Sequence, residues 1–283
     1  MTQHAADVAI LPVDNGLACE IRGIDVTAPM DAAAFARIEA AFDQYGVLFC
    51  RGQDVSPAAQ VEFSSRFGDV AVNFNSDKYG VADAPEIFAI GNAERDGEDI
   101  ALKGVGQTWH SDMCYSAKPP RATMLFAVEI PTLHGLTLGD TCFANAARAF
   151  DALPATMQQH LAGRLATFDF RGRQRSRPVP PETVAKYPPV QHPIVRSHPR
   201  TGRQSLYVMR DDCTAIEGLD EAEGAALTQA LADHVVRPEF IYRHQWQAGD
   251  LLMWDNCTVQ HRALNDYAAP QTRLLHRSTI ASK

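Results

Sequence analysis

Short segments rich in β-branched and aromatic residues recur through both halves of the chain, and this pattern constrains the fold more than any other feature. Longer segments with helical periodicity are fewer. They do not alternate regularly with the strand-like segments, which argues against a parallel α/β sheet. We therefore predict a mainly β fold of the α+β class, a barrel or a sandwich with helices packed outside. Representative strand-like segments are VLFCRG, EIFAIGN, FIYRHQW, DLLMWDN and RLLHRSTI.

The local signals that start and stop elements support this division. Ser56 is a candidate N-cap and Pro57 a candidate first helical residue for the segment SPAAQVEFSSRFGD, and Gly46 follows the helical segment DAAAFARIEAAFDQY. Farther along, QHPIVRSHP and RQSLYV flank the dipeptide Thr201-Gly202, a pattern that predicts a β-hairpin.

Composition excludes several partners. The 283 residues include 26 Lys and Arg against 34 Asp and Glu, and the formal charge of -8 argues against nucleic acid as the main ligand. No apolar run approaches the roughly 20 residues that a membrane helix needs. Six cysteines without a C-x-x-C pair, and a first segment without a signal-peptide pattern, predict a cytoplasmic protein with free thiols.

Two long segments are predicted to be lid loops. Residues 70–108 are mostly polar and contain glycines, with EIFAIGN as a strand among them, and residues 171–191 are rich in Arg and Pro. Long loops of this kind are often functional. The arginines of 171–177 are equally well explained as a solvated surface, and the sequence does not decide between the two readings.

A possible metal site is formed by His110, Asp112 and His261. In TWHSDMCY the first two are two positions apart, so a strand or its extended continuation would place both side chains on one face. Two histidines and one carboxylate form a facial triad that holds non-haem Fe(II) and leaves coordination positions open. His261, in WDNCTVQHRAL, is the candidate third ligand. An H-x-D pair alone is weak evidence, because His and Asp are ordinary surface residues.

Arg273 and Arg277 form a second candidate group. Four positions apart in a strand-like segment, they would project from one face of a strand toward the same cavity as the metal. A guanidinium pairs well with a carboxylate. The alternative is that both arginines lie on the surface and balance an acidic protein.

The chain resembles the taurine dioxygenase and dichlorophenoxyacetate dioxygenase family of Fe(II)/2-oxoglutarate enzymes. The resemblance rests on WHSD, GDT, WDN followed by QH, and RLLHRST, together with the segment VLFCRGQDVSPAAQVEFSSRFGD, and it extends from about residue 9 to the end. It implies a single domain over 1–283 with a double-stranded β-helix (jelly-roll) core. It also implies that His110, Asp112 and His261 bind Fe(II), with 2-oxoglutarate and O2 as co-substrates.

The resemblance assigns further residues. It implies that Arg273 pairs with the distal carboxylate of 2-oxoglutarate, that Thr141 of GDT donates a hydrogen bond to it, and that Arg277 meets an anionic group of the substrate. The stretch PTLHGLTLGDT is longer than the usual turn before GDT. The sequence FGDVAVNFNSDKYG places Asn73 near a position where the taurine enzyme has a substrate-contacting histidine, which argues against taurine as the substrate.

The expected reaction is hydroxylation of a small anionic molecule of the carboxylate, sulfonate or aryloxyalkanoate type, with release of succinate and CO2. The product would fragment if the new hydroxyl shares its carbon with a leaving group. One distal carboxylate occupies a single guanidinium fork, so Arg277 needs another partner, either the substrate or a protein carboxylate such as Asp255. A homo-oligomer is expected, as in similar enzymes.

The sequence also bears on three other functions. A zinc enzyme could use the same three ligands, although Arg273 and Thr141 would then have no task. A catalytically silent ligand-binding barrel would be indicated by loss of a triad member, and all three are present. A nucleophilic hydrolase is disfavoured because no G-x-S-x-G motif occurs. The sequence does not identify the primary substrate.

Overall fold

The computed structural model describes residues 2–172 and 181–282. The helices are α1 Ala32–Tyr45, α2 Pro57–Ser65, α3 Ser76–Tyr79, α4 Ala146–Asp151, α5 Ala155–Leu161, α6 Pro181–Lys186 and α7 Glu221–Val235. The strands are β1 Ala9–Val13, β2 Ala18–Arg22, β3 Val47–Cys50, β4 Val70–Ala71, β5 Gly80–Val81, β6 Ala84–Gly91, β7 Glu94–Arg95, β8 Glu98–Asp99, β9 Ala122–Glu129, β10 Thr132–Leu133, β11 Leu136–Thr137, β12 Thr141–Asn145, β13 Leu165–Phe168, β14 Val190–Pro193, β15 Val195–Ser197, β16 Gln204–Leu206, β17 Cys213–Ile216, β18 Ile241–His244, β19 Leu251–Asp255, β20 Val259–Ala263 and β21 Leu274–Ile280.

One large sheet forms the centre of the molecule. Its strands follow the order β1-β2-β3-β19-β9-β21-β6-β5, and β4 pairs with β21 beside this path. The pairs are antiparallel except β2 with β3. One face of the sheet is covered by α1 and α2, where Ile38, Phe42 and Phe63 pack with Met124 and Met253. The prediction of a mainly β fold with helices packed outside is confirmed.

The second face of the large sheet packs against a smaller sheet of order β18-β12-β20. Aromatic side chains join the two sheets: Phe49 stacks on Tyr242, and Phe143 lies 5.5 Å from Trp254 between ring centroids. Strand β12 runs antiparallel to both of its neighbours. This inner layer between the sheets matters most for function, because β9, β12, β20 and β21 all border it.

A third group of elements lies beside the sandwich. The sheet β14-β13-β17 and the hairpin β15–β16 share a second apolar cluster with α4, α5 and α7. The predicted hairpin therefore exists, but it is shorter than the sequence indicated. Strand β14 pairs with β13, and only β15 and β16 pair with each other across the loop 198–203.

The local signals acted as expected at the helix ends. The Ser56 hydroxyl accepts a hydrogen bond from the Ala59 backbone N–H, with Pro57 at the first position of α2. Asp31 caps α1 in the same way. Gly46 ends α1 at φ 73°, a left-handed conformation that glycine adopts without the steric cost of a Cβ atom.

The two segments predicted as lids differ in character. Residues 70–108 contain β6, which lies inside the large sheet between β21 and β5, so this stretch is not one continuous loop. In the second segment α6 and the first residues of β14 are described, and Arg171 pairs with Asp169. Most of the arginine-rich part, 173–177, lies outside the described residues. The lid roles stay predictions. Within the described ranges, no helix has the length and hydropathy to cross a bilayer.

Candidate metal centre and its cationic pocket

His110, Asp112 and His261 come together in the fold. Their potential ligand atoms lie within 4.8 Å of one another, and all three residues are buried. The Nε2 atoms of His110 and His261 lie 3.8 and 3.9 Å from the same oxygen of the carboxylate, Asp112 Oδ1. Two imidazole nitrogens and one carboxylate oxygen are thus presented to one point, as the sequence predicted.

A backbone bridge explains how distant residues meet. His261 lies on β20, and His110 forms an isolated antiparallel bridge with it, through N–H···O hydrogen bonds of 3.1 and 2.8 Å. Asp112 then lies in a turn that continues with Met113 at φ 47°. The expectation that His110 and Asp112 share a strand face is therefore wrong. The bridge ends at His110, and the turn brings the carboxylate back toward the imidazoles.

The tautomer of His110 suits a metal ligand. Its Nδ1 lies 2.7 Å from the carbonyl oxygen of Thr108, which can only accept a hydrogen bond, so Nδ1 carries the hydrogen. The lone pair of a neutral imidazole is then on Nε2, the atom that faces Asp112. His261 is held by the ring of Trp254, with 4.4 Å between ring centroids.

The carboxylate of Asp112 is held in its charged form. Burial raises the pKa of Asp112, but its neighbours, foremost the guanidinium of Arg277 and also a hydrogen bond from Thr123, outweigh burial and lower the pKa below its usual range. Because an anionic carboxylate is the form that binds a metal, the electrostatics and the donor set agree.

A second feature is a pocket beside Arg273, whose side chain is almost fully buried at 3% exposure. Among the described residues no carboxylate forms an ion pair with it, and its Nε atom has no hydrogen-bond partner. Burial lowers the pKa of Arg273. A buried cation without a counter-ion is costly, so an anionic ligand is the natural partner. The lining residues are Ile90, Gly91, Leu102, Gly104, Val105, Gln107, Ala263, Leu264, Asn265, Tyr267 and Arg273.

Gly139 makes room for this arginine. A Cβ atom at this position would lie 2.7 Å from Arg273 Cδ and 3.1 Å from Tyr267 Cδ1, and its φ of 72° also disfavours other residues. The sequence reasoning did not single out Gly139 or Tyr267. The GDT motif, which begins with Gly139, was the available signal for the first, and no sequence signal pointed to the second.

Thr141 lies at the edge of the same pocket. It begins β12, directly opposite the pocket residue Ala263, and its hydroxyl accepts a 3.0 Å hydrogen bond from Trp246 Nε1. The hydroxyl hydrogen of Thr141 can still be donated. The additional residues before GDT form the short hairpin β10–β11, which turns at His134 and Gly135 and leaves Thr141 at the start of its strand.

Arg277 points to the metal centre itself. Its Nη2 lies 2.9 Å from Asp112 Oδ1 and 3.5 Å from Thr123 Oγ1, and its guanidinium lies over the Phe88 ring. The protein carboxylate beside Arg277 is thus Asp112 and not the alternative suggested by the sequence. Asp255 instead pairs with His198 at 2.7 Å.

Asn73 has only local contacts in the described structure. Its side-chain oxygen accepts hydrogen bonds from the backbone and the side-chain nitrogens of Asn75, which stabilises the turn before α3. The predicted contact between Asn73 and substrate therefore stays a prediction.

A buried cluster of two histidines and one carboxylate, set in a β sandwich next to a cationic pocket, defines a protein of the mononuclear metal-site class with a facial triad. The family follows from comparison with known proteins. The sequence profile described as "Taurine catabolism dioxygenase TauD, TfdA family" matches residues 9–279. The chain belongs to this family and is a dioxygenase.

Individual relatives agree with this membership. The chain is 32% identical over 289 residues to the alpha-ketoglutarate-dependent 2,4-dichlorophenoxyacetate dioxygenase of Cupriavidus pinatubonensis, covering 95% of this chain and 96% of that enzyme. It is 30% identical over 305 residues to the alpha-ketoglutarate-dependent sulfate ester dioxygenase of Pseudomonas putida, with 99% and 91% covered.

Solved structures show the same fold. A taurine dioxygenase from Burkholderia xenovorans superposes with a TM-score of 0.81 at 29% identity, covering 98% of this chain and 92% of that one. The structure of AAD-2 in complex with Mn(II) and N-oxalylglycine gives a TM-score of 0.83 at 26% identity, with 98% and 97% covered.

Proposed function

We propose that this protein is an Fe(II)- and 2-oxoglutarate-dependent dioxygenase that hydroxylates a small anionic organic molecule and releases succinate and CO2. The observation that carries the proposal is the convergence of His110, Asp112 and His261 beside a buried arginine that forms no ion pair with any carboxylate in the described part of the chain. Relatives named for 2-oxoglutarate-dependent oxidation of a dichlorophenoxyacetate and of sulfate esters support the reaction and the anionic substrate.

In this proposal the two facing sheets are the halves of a double-stranded β-helix, and the chain is a single catalytic domain over 1–283. Two features support this: one apolar layer joins strands from both sheets, and the family profile covers 9–279. A homo-oligomeric state and a cytoplasmic location remain predictions. Size-exclusion chromatography with light scattering tests the first.

His110, Asp112 and His261 would hold the Fe(II), which supplies the activation of O2 when it is bound. The protein's own contribution is to orient these ligands and to exclude water. Thr108 fixes the His110 tautomer, and Trp254 packs against the ring of His261. The apolar layer between the sheets keeps the centre dry, which strengthens every electrostatic interaction in it.

Arg273 would bind the distal carboxylate of 2-oxoglutarate, and the hydroxyl of Thr141 would donate a second hydrogen bond. Burial, and an Nε atom that has no hydrogen-bond partner within residues 2–172 and 181–282, support the first role. The position of Thr141 opposite the pocket residue Ala263 supports the second. Tyr267, which packs beside Arg273, would close one side of the pocket.

Arg277 would attract the anionic group of the substrate to the metal. Its Nη2 is directed to Asp112, while its buried Nε has no hydrogen-bond partner among the described residues and remains a donor. A substrate held there would lie against the metal, which is where oxidation takes place. Where the hydroxylated carbon carries an ether or sulfate oxygen, the product would fragment and release that group.

A zinc enzyme with the same triad is the alternative from another class. It would leave Arg273 buried without an ion pair among the described residues, whereas a dicarboxylate co-substrate would supply one. One experiment distinguishes the dioxygenase from the zinc enzyme. The protein is loaded anaerobically with Fe(II) or with Zn(II), and small carboxylates, sulfonates, sulfate esters and aryloxyalkanoates are screened for succinate release that depends on substrate.

The expected result is succinate formation with Fe(II), 2-oxoglutarate and O2, stimulated by an anionic substrate and lost in His110→Ala. Turnover with Zn(II) in the absence of 2-oxoglutarate would establish the alternative instead. A protein that binds Fe(II) but never forms succinate with any metal would support the silent barrel.

A further inference from the structure

A chain of hydrogen bonds lies behind Asp112, on the side away from the histidines. Thr123 Oγ1, on β9, lies 2.6 Å from Asp112 Oδ2. Asn256, in the turn between β19 and β20, places its Nδ2 3.3 Å from Thr123 Oγ1. Both Thr123 and Asn256 are completely buried, with 0% exposure, so water does not compete for these bonds.

The direction of every bond in this chain is determined by Trp254. Its indole nitrogen lies 3.1 Å from Asn256 Oδ1. An indole N–H only donates, so this amide atom must be the oxygen, and the nitrogen of the amide must face Thr123. An amide nitrogen only donates in turn. The Thr123 oxygen therefore accepts, and its single hydrogen is directed to Asp112 Oδ2.

Arg277 reinforces this direction. Its Nη2 lies 3.5 Å from Thr123 Oγ1, and a guanidinium can only donate. Two donors thus point at the Thr123 oxygen, and its hydrogen has Asp112 Oδ2 as acceptor. Since the other carboxylate oxygen, Oδ1, is the one nearest both imidazoles, the two oxygens of Asp112 have different partners.

We propose that Thr123 and Asn256 are positioning residues that make Asp112 a one-oxygen ligand, by engaging Oδ2 and presenting only Oδ1 to the metal. This inference rests on the proposed function. A carboxylate that bound through both oxygens would occupy one more coordination position, and a chelating co-substrate and oxygen need the open ones. The chain of hydrogen bonds therefore keeps room at the metal.

Asn256 also joins the parts of the chain that carry the ligands. Its carbonyl oxygen accepts a 2.7 Å hydrogen bond from the hydroxyl of Ser111, the residue between His110 and Asp112. Its backbone N–H donates to the Arg121 carbonyl, just before β9. From Asn256 the chain continues directly into β20 and His261. Asn256 thus connects the segment 110–112, which carries two ligands, with β9, which carries Thr123, and with β20, which carries the third ligand.

The test compares two threonines of equal size. Thr123→Val removes the hydroxyl and keeps the shape. Thr279→Val is the matched control, because Thr279 lies directly opposite Thr123 on β21, is 4% exposed, and its hydroxyl has no hydrogen-bond partner among the described residues. Thr123→Ser retains the hydroxyl. For each protein the affinity for Mn(II) and Co(II) is measured by calorimetric titration, and the visible spectrum of bound Co(II) reports the coordination number.

We expect Thr123→Val to bind both metals about 10–100-fold more weakly and to change the Co(II) spectrum, as is usual when the partner of a metal ligand is lost. Thr279→Val and Thr123→Ser should resemble the wild type. Equal metal affinity and an equal Co(II) spectrum in Thr123→Val and Thr279→Val would overturn the inference while leaving the proposed function intact. A wild-type protein that binds neither metal would instead refute the proposed function, and this inference with it.

Asn256 is tested through its coupling to Thr123. If Asn256 orients Asp112 by way of the threonine hydroxyl, Asn256→Ala should weaken Co(II) binding in the wild type and have a much smaller effect in the Thr123→Val background. Thermal unfolding of the same proteins separates this from general loss of stability. Fully additive effects on Co(II) affinity would contradict a role through the threonine, and would leave only the direct 3.4 Å hydrogen bond from the Asp112 backbone N–H to Asn256 Oδ1.

Discussion

The guanidinium of Arg277 and the carboxylate of Asp112 form an ion pair of 2.9 Å through the same oxygen, Oδ1, that faces both histidines. The arginine is thus an immediate neighbour of the metal centre. Its charge favours the ionised form of Asp112, and it lowers the pKa of that residue against the effect of burial. In the proposed function, this one side chain would interact both with the anionic group of the substrate and with the carboxylate that binds the metal.

The first prediction concerns the three ligands. His110→Ala, Asp112→Ala and His261→Ala should each lose tightly bound Fe(II) and all substrate-dependent succinate formation, because a facial triad offers no replacement ligand. Iron content and succinate are measured on the same preparation. His160→Ala, at an exposed position on α5, is the control. Full iron and turnover in any one variant would exclude that residue from the triad.

The second prediction concerns the co-substrate. Arg273→Ala should raise the KM for 2-oxoglutarate by an amount equivalent to about 2–5 kcal/mol, because a buried carboxylate would lose its paired charge. Thr141→Ala should weaken the binding of 2-oxoglutarate by about 1 kcal/mol, because one hydrogen bond is lost. Arg210→Ala, at an exposed ion pair with Asp233, is the control. An unchanged KM in Arg273→Ala would place 2-oxoglutarate elsewhere.

The third prediction separates steric space from backbone strain. Gly139→Ala would place a Cβ 2.7 Å from Arg273 Cδ. Gly163 has a similar positive φ, 76°, but a Cβ added there would meet no atom within 4 Å. Both should lose about 1–2 kcal/mol of stability from the left-handed backbone. Only Gly139→Ala should also raise the KM for 2-oxoglutarate. If both variants have the wild-type KM, Gly139 does not shape the pocket.

The fourth prediction concerns the substrate. Arg277→Ala should weaken binding of the anionic substrate about 10–100-fold, consistent with about 1.5–3 kcal/mol for a hydrogen bond to a charged group. The affinity for 2-oxoglutarate should change little. Iron content should stay nearly intact, because the hydrogen bond from Thr123 still favours the charged form of Asp112. Arg277→Lys keeps the charge and should recover part of the lost substrate affinity. A best substrate that is neutral or cationic would contradict this role.

The fifth prediction is a pH dependence of stability. Burial lowers the pKa of His276. The imidazole is therefore protonated less readily in the folded protein than in the unfolded chain, where the pKa of histidine is about 6.5. The contribution of His276 to stability is therefore complete above that value and decreases as the pH falls below it, toward the lower folded pKa. Urea unfolding of wild type and His276→Gln at about pH 7.5 and pH 5.5 measures the difference. The variant should lose less stability at the lower pH, and an equal loss would show that His276 does not contribute.

Much of the candidate site could be predicted from the sequence, because its residues lie in ordered motifs. His110, Asp112 and His261 were assigned correctly to one cluster. Their local geometry was not, because the turn that carries Asp112 depends on a bridge to a strand far along the chain. Propensity and periodicity describe residues that are close in sequence, and they contain no information on a bridge between two distant segments.

The polar partners show the same limit. Arg277 was expected to need an anionic partner, either the substrate or a protein carboxylate such as Asp255. Only the fold shows that Asp255 is engaged by His198 and that Asp112 is the carboxylate beside Arg277. Asn256 belongs to the WDN motif, yet its proposed influence on Asp112 passes through Thr123, and no sequence motif includes Thr123. Hydrogen-bond direction follows from three-dimensional contacts between donors and acceptors, and these become known only with the structure.

The bridge between His110 and His261 brings together two proposed metal ligands that are distant in the chain, so we expect the stability of the fold to depend on metal binding. An ion held by these residues cross-links the two halves of the chain, and it does so only in the native state, because the denatured ensemble rarely brings such distant ligands together. Metal binding should therefore raise the melting temperature, and the increase should grow with the metal concentration. The melting temperature then orders metals and co-substrates by their affinity for the protein before any substrate is known.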